Sequence, residues 1–499
     1  MAARPSLLVV VEAVALMAFL VLTARLVMED DVEGTVVPID AEALATGSLE
    51  EGWMGVYFQG QKVGYAVSSQ SPTVDGGKLL RNRSAFELAA FGEIKTVVTA
   101  SNAVVDASGN VKAFDFFMDS SPVRITARGE VRPGLIVIDL VQAGEVQTLE
   151  LPVDTPPQMS LSLQTFIENL EEDLAIGQTF RIPYFDPVTL MNQEMELEVV
   201  DVELFGNEEA YWIVRRFGDL ETRVLMKPNG EVLREEGALG LSLVRETKEE
   251  ALKMPDNVEP VDIIGLSVAK LENGWLDDAR EQVTLELEVT GVDATRLVHE
   301  PPLQMIEGDR VRVVVPQDIP EGLPKVSQDP AVAEYLQSTT FIPIDHPDIQ
   351  SKAQELVGDE SDRAVAAKVL VDWVYKYLVK APTIGVPNAL EVLQVGQGDC
   401  NEHTSLYVGL ARAQGIPTRI AAGLVWSDRI GGGGFYYHAW PEVWFDEVGW
   451  VPVDPTFGQF PADATHIALV HGDLDKQIEI MGVMGQIGFK KVETTETEQ

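Results

Sequence analysis

The chain has 499 residues, 45% hydrophobic and 23% charged, which is the composition of folded domains and too long for one ordinary core. Asp and Glu number 79 against 37 Lys and Arg, so the formal net charge is -42. Such a surface repels phosphate backbones and anionic headgroups; it excludes nucleic acid as a natural partner and suits solubility or a preference for basic polypeptides.

Arg4 precedes an apolar run from Leu7 to Val27, broken by Glu12, Thr23 and Arg25; from Ala13 to Leu22 every residue is apolar. That is about the 20 residues a membrane-crossing helix needs. Positive charge comes before the run, and Glu29, Asp30 and Asp31 follow it. Residues 1–28 therefore read as a single-pass transmembrane anchor, with the bulk of the chain on the periplasmic or extracellular side of the cell membrane. A cleaved signal peptide is the rival reading, but Leu22 makes a poor small-x-small site with Ala24. The acidic residues 29–48 read as a linker.

Residues 49–255 have the texture of antiparallel strands. Val56–Phe58 and Val63–Val67 flank Gln59–Lys62 as a hairpin with a glycine turn. Further β-type runs lie at Ile94–Ala100, Leu135–Val141, Met195–Val202 and Tyr211–Arg215, with turn signals at Asp106–Gly109 and Pro228–Gly230. One helix is expected near Leu161–Leu170. A curved antiparallel sheet is the simplest architecture, with a faint resemblance to the half-barrel sheets of envelope lipoprotein-handling proteins. Residues 256–328 read as a small β lead-in module, because Gln282–Val289 alternates strictly and Arg310–Val315 follows.

From residue 329 to 499 the pattern turns helical and then mixed. His346-Pro347 opens a helix through Val357. Ser361 caps another, in which Val365, Val369, Trp373 and Tyr377 run beside Ala366, Leu370, Val374 and Leu378; that double stripe reads as a buried face. Asp399 is a good cap for the next helix, and Glu402 completes a capping box. Gly415 and Pro417 stop that helix.

This arrangement puts Cys400, the lone cysteine, in the first helical turn, where the helix dipole and unpaired N–H groups favour a thiolate. A single thiol forms no intrachain disulfide. Thr418–Trp426 reads as a strand, Gly431–Gly434 as a loop, and Phe435–Phe445 as a second strand on which Tyr436, His438, Trp440, Glu442 and Trp444 share a face. The turn Asp446–Gly449 brings Asp454 back beside His438. Cysteine at a helix start, histidine on a strand and aspartate on its neighbour form a nucleophile, base and orienter.

Four segments carry a specific resemblance: Gly398–Leu406, Arg412–Arg419, Tyr437–Trp444 and Trp450–Thr456. In order and spacing they are similar to the transglutaminase-like superfamily of cysteine enzymes, over roughly residues 330–475. The resemblance implies an α+β, papain/transglutaminase-like core behind the antiparallel β-rich region and the transmembrane helix. It also implies a catalytic triad of Cys400, His438 and Asp454, acting on a protein or peptide substrate without a cofactor or metal. Oxyanion donors are expected at the Cys400 N–H and at Gln397, with Trp440 as a substrate wall after its packing role.

The implied chemistry is acyl transfer, hydrolytic as in a protease or deamidase, or crosslinking when an amine is the acceptor. Two rivals stand beside it. One is a transition-metal site drawn from Cys400, His403, His438, His466 and His471, which lacks a second cysteine or a His-x-x-x-His pair. The other is a non-catalytic assembly or peptide-binding module. His403 and His466 read as hydrogen-bonded structural histidines, and Glu442 as an ion-pairing residue.

Overall fold

A computed structural model describes residues 50–492, except 91–92, 121–122, 143–144, 171–173, 188–190, 219, 256–267, 382, 384–386, 429–431, 478–479 and 481. The expected anchor at 1–28 and linker at 29–48 lie outside the described residues. Among the described residues, no helix is long and apolar enough to cross a membrane.

Fourteen antiparallel strands between Glu50 and Glu246 form one sheet built from two meanders. Eight strands run to Pro152 and six more begin at Thr179; the last of these, Leu241–Glu246, pairs with the first, Glu50–Phe58, placing Val56 opposite Leu243. The expected first hairpin turns on two residues, Gln59 and Gly60, both at positive φ (50° and 77°). Such a turn matches the twist of the flanking strands. Gln59 holds this unfavourable conformation through its N–H to the Gly240 carbonyl at 2.9 Å and its side-chain amide to the Leu239 carbonyl at 2.8 Å.

Alternation along Val111–Ser120 sends Phe114, Phe116 and Met118 inward. The segment after Pro152 ties the interior strand Val111–Ser120 to Thr179–Asp186, the strand at one edge of the sheet. There the Val111 N–H donates to Pro157 and the Phe185 N–H to Gln158, and the Phe114 and Phe185 rings lie 5.2 Å apart. A short helix, Leu163–Glu168, buries Leu163 and Ile167 against Ile182, Met195 and Leu197.

The lead-in strands Thr284–Thr290, Gln304–Glu307 and Arg310–Val314 form a four-stranded sheet whose last member, Gly488–Lys491, comes from the C-terminus. Leu287, Val289 and Val311 share one apolar cluster with Trp426, Phe435, Ile467 and Phe489. A boundary at 328 therefore divides, in sequence, residues that pack in a single core.

Four helices and a four-stranded sheet form the centre of the rest of this half. The helices are α1 (Pro347–Val357), α2 (Arg363–Tyr377), α3 (Ala389–Val395) and α4 (Cys400–Ala413). The strands β1 (Thr418–Ser427), β2 (Gly434–Phe445), β3 (Gly449–Pro452) and β4 (Ile467–His471) lie in the antiparallel order β3-β2-β1-β4. α4 is central: Leu406, Tyr407, Val408, Leu410 and Ala411 are all fully buried.

Two local expectations are corrected in α2. Its cap is Asp362, whose carboxylate accepts from the Ala364 and Val365 N–H groups, and not Ser361. Only one of the two stripes is core: Ala366, Leu370 and Val374 are fully buried, whereas Val365 is 44% exposed and Val369 and Tyr377 are 36% exposed. Adjacent positions lie about 100° apart around a helix, and α2 meets its neighbours on one side only, so the second column faces outward. Trp373 covers part of itself by stacking on Tyr377 at 4.4 Å.

Candidate active site

The start of α4 is assembled from short-range signals. Gly396, at φ 71°, ends α3. Gln397-Gly398 then pairs in parallel with Val379-Lys380, which pins the approach to the helix. A side chain at Gly398 would press on Glu402, its Cβ 2.3 Å from the Glu402 Cβ, so glycine here lets the capping box close. The box is as expected: the Asp399 carboxylate accepts from the Asn401 N–H at 3.0 Å, and Glu402 accepts from the Asp399 N–H at 2.8 Å.

Cys400 is the first residue of α4 and is partly exposed. One turn further along α4, the Thr404 hydroxyl donates to the carbonyl of Ala439, the residue after His438, at 3.0 Å, which ties the helix to β2 beside the imidazole. Burial of the thiol group and the Asp399 carboxylate push the thiol well up, Glu402 and Asp454 add to this, and the nearby Ala439 N–H opposes them. The expected lowering by the helix start is thus outweighed, because three carboxylates and desolvation act on one sulfur at close range. Burial beside Asp399 likewise pushes the Glu402 carboxyl up.

On β2, His438 is buried and its Nε2 lies 2.9 Å from Asp454 Oδ2. Asp454 follows β3 and is wholly buried. Its other oxygen, Oδ1, accepts from the N–H groups of Thr456 at 2.6 Å and Phe457 at 2.9 Å. Burial alone would push this carboxyl up; the histidines bonded to it overcome that and hold it far below the usual carboxylate range. Phe457 stacks on the His438 ring at 4.9 Å with 7° between planes.

A second histidine shares the same carboxylate. His466 Nε2 lies 3.0 Å from Asp454 Oδ2, and its Nδ1 lies 2.9 Å from the Asp463 carbonyl oxygen. Arg280 of the lead-in sheet region bonds Asp463 at 2.7 Å and stacks over Phe457 at 4.5 Å. Sequence reasoning found His466 as a bonded residue but missed this set. The only local hint was Asp463-Ala-Thr465, an Asx-type turn in which Asp463 accepts from the Thr465 N–H.

Trp440 is 1% exposed and packs edge-on against His466 at 5.0 Å. It therefore cannot serve as a substrate wall, since Ala421, Ala468 and Val298 close over it. Gln397 is half-buried on its two-residue strand, three positions before the sulfur. Glu442 is an ion-pairing residue, 2.7 Å from Arg419 and 3.3 Å from His471. His403 is buried, its Nδ1 2.6 Å from the Asp399 carbonyl oxygen, and burial holds it below the usual histidine range.

His438, Asp454 and His466 also form the one cluster of possible metal ligands among the described residues. Cys400 is not in it. Each imidazole nitrogen meets Asp454 Oδ2 at hydrogen-bond length, so the contacts are accounted for without an ion.

Residues 350–455 match the transglutaminase-like superfamily, and this part of the chain is a transglutaminase-like core. A protein-glutamine gamma-glutamyltransferase of Pseudomonas aeruginosa is 31% identical over 94 residues, 17% of this chain and 14% of that protein, so the chain spans only a small share of that relative's length. A candidate cysteine protease from Cytophaga hutchinsonii overlaps 42% of this chain and 81% of its own, at 15% identity and a TM-score of 0.28. A β-barrel-like domain of unknown function from Brucella abortus overlaps 40% and 98%, at 12% identity and a TM-score of 0.31. Neither structural overlap is close enough to carry an argument.

Proposed function

We propose, for a chain whose residues 350–455 are a transglutaminase-like core, thiol-dependent acyl transfer on protein amides with Cys400, His438 and Asp454 as the triad. One observation carries the reading: Asp454 bonds the His438 imidazole at 2.9 Å, and the helix that begins with Cys400 is tied to the next residue along that strand by the Thr404 hydroxyl at 3.0 Å. In this proposal His438 takes the thiol proton as the sulfur attacks the carbonyl carbon of a peptide or a glutamine carboxamide. The tetrahedral oxyanion sits at the Cys400 N–H, unpaired at the start of α4, with Gln397 as the side-chain candidate. As the C–N bond breaks, His438 returns the proton to the departing amine or ammonia. Water, deprotonated by His438, then opens the thioester.

A primary amine as acceptor is the second reading, crosslinking in place of hydrolysis, and the name of the Pseudomonas aeruginosa relative favours it. Attachment to a membrane through Leu7–Val27, with the catalytic half outside the cell, belongs to the proposal and rests on the sequence pattern alone.

The test is mass spectrometry of peptide mixtures incubated with the protein, with and without an added primary amine. Chain cleavage, loss of ammonia and amine incorporation have different mass signatures. Cys400→Ala removes only a sulfur; it abolishes turnover and leaves the unfolding midpoint near that of the parent. Undiminished amide hydrolysis by that variant refutes the covalent route. An inert thiol in the folded protein, unreactive to iodoacetamide, supports the non-catalytic module instead.

A further inference from the structure

We infer that His466 is an imidazolium at neutral pH that positions Asp454 and balances its charge, so that the buried carboxylate brings no net negative charge to His438, the base of the proposed triad. The inference deepens the triad reading above and rests on it. His466 is a positioning residue here; it acts through Asp454 and touches no reacting atom.

Hydrogen-bond inventory carries the first half. His466 is 3% exposed, and each ring nitrogen faces an oxygen. Nε2 meets Asp454 Oδ2 at 3.0 Å; Nδ1 meets the Asp463 carbonyl oxygen at 2.9 Å, with Asp463 Oδ1 at 3.6 Å. A backbone carbonyl only accepts, and the Asp454 carboxylate already takes two backbone N–H groups and the His438 ring. A neutral imidazole donates once. It would turn a lone pair toward an oxygen in a water-free place, so both nitrogens carry protons.

Charge balance carries the second half. Arg280, Asp463, His466 and Asp454 form one continuous chain, two cations and two carboxylates, ending at His438. The set is neutral while His438 is neutral. Without the His466 charge it would hold one net negative charge, and a proton reaching His438 would be bound more tightly. A protonated His438 cannot take the thiol proton. The other charged groups near His466 have partners of their own across a small internal cavity: Glu442 pairs with Arg419 and lies 3.3 Å from His471, and Glu300 lies 3.4 Å from Arg419.

The test is nuclear magnetic resonance of the full chain with nitrogen-15 histidine, together with the pH profile of Cys400 alkylation by iodoacetamide. Both ring nitrogens of His466 are expected to be protonated at pH 7.5. His466→Gln keeps a donor toward Asp454 but removes the charge. Its acid limb of alkylation is expected to move to higher pH by about one unit, with the plateau rate changed less than about threefold. A merely structural His466 would alter stability or the plateau and leave the limb in place. A neutral His466 tautomer at pH 7.5, or an unmoved limb in a folded His466→Gln protein, overturns the inference. If His466→Gln does not fold, the wild-type spectrum decides alone. A Cys400 that alkylates with this profile but supports no amide turnover strikes the acyl-transfer reading and leaves the role of His466 standing.

Discussion

Replacing Asp454 with Asn separates charge from shape at the point where the network converges. The carboxylate accepts four donors: two backbone N–H groups on Oδ1 and two imidazoles on Oδ2. The backbone donors of Thr456 and Phe457 cannot move without breaking their turn, so they keep the one oxygen that Asn retains. Its NH₂ then faces two ring nitrogens that both carry hydrogen. Two charge-assisted bonds are lost, each about 1.5–3 kcal/mol, which agrees with about 3–5 kcal/mol for breaking a buried pair by removing one partner. Turnover should fall about 10³- to 10⁴-fold with little change in KM, because His438 loses the acceptor that fixes its tautomer. Ammonia or peptide release measures the first effect, and urea unfolding followed by tryptophan fluorescence the second, since Trp440 packs on His466. A loss of activity under tenfold, or a destabilisation below about 1 kcal/mol, would show that the four contacts do not act as described.

Glu442→Gln leaves Arg419 buried beside a neutral amide and should cost about 3–5 kcal/mol in urea titration, whereas a change under about 1 kcal/mol would mean that Glu300 suffices as a partner. Leu370→Ala should cost about 2–5 kcal/mol and Val369→Ala under about 1 kcal/mol; equal losses would restore both stripes of α2 to the core. Stability should also depend on pH in a stated direction. Burial pulls the His466 imidazolium down, but Asp463 and Asp454 outweigh it and push the group up to about 9. Its contribution is therefore complete below the ordinary histidine value and is lost as pH rises from about 6.5 through 9, on the order of 3 kcal/mol. Asp454 and Asp463 are held below the carboxylate range, so their contribution is present above about pH 4 and fades as pH falls further. A urea midpoint that stays level from pH 6.5 to 9 contradicts the charge assigned to His466.

What could be read from the sequence is what acts over a few residues. The Asp399–Glu402 box, the His346-Pro347 start of α1 and the Gln59-Gly60 turn need only their immediate neighbours. Asp454 was placed beside His438 because the hairpin joining β2 to β3 sets which residues return alongside. The unread part depends on contacts that no local pattern encodes. Arg280 meets Asp463 across 183 positions, and Asn273 meets Lys491 across 218. Trp440 has the same period-two placement as His438, yet residues from β1, β4 and the lead-in region bury it. The sign of the shift at Cys400 was missed for the same reason: the helix start is visible in sequence, while the dryness of the sulfur's surroundings is not.

The joint core of the lead-in strands and the sheet that carries His438 limits how this half could be moved between proteins. A piece beginning at residue 329 would strip Leu287, Val289 and Val311 from Trp426, Phe435 and Phe489, leaving an oily flank and a Gly488–Lys491 ribbon with nothing to join. It would also discard Arg280, and with it the counter-ion of Asp463. Recombination, natural or engineered, keeps this half whole only if it takes everything from Val268 onward; such a graft carries Arg280 and both layers of the core with it.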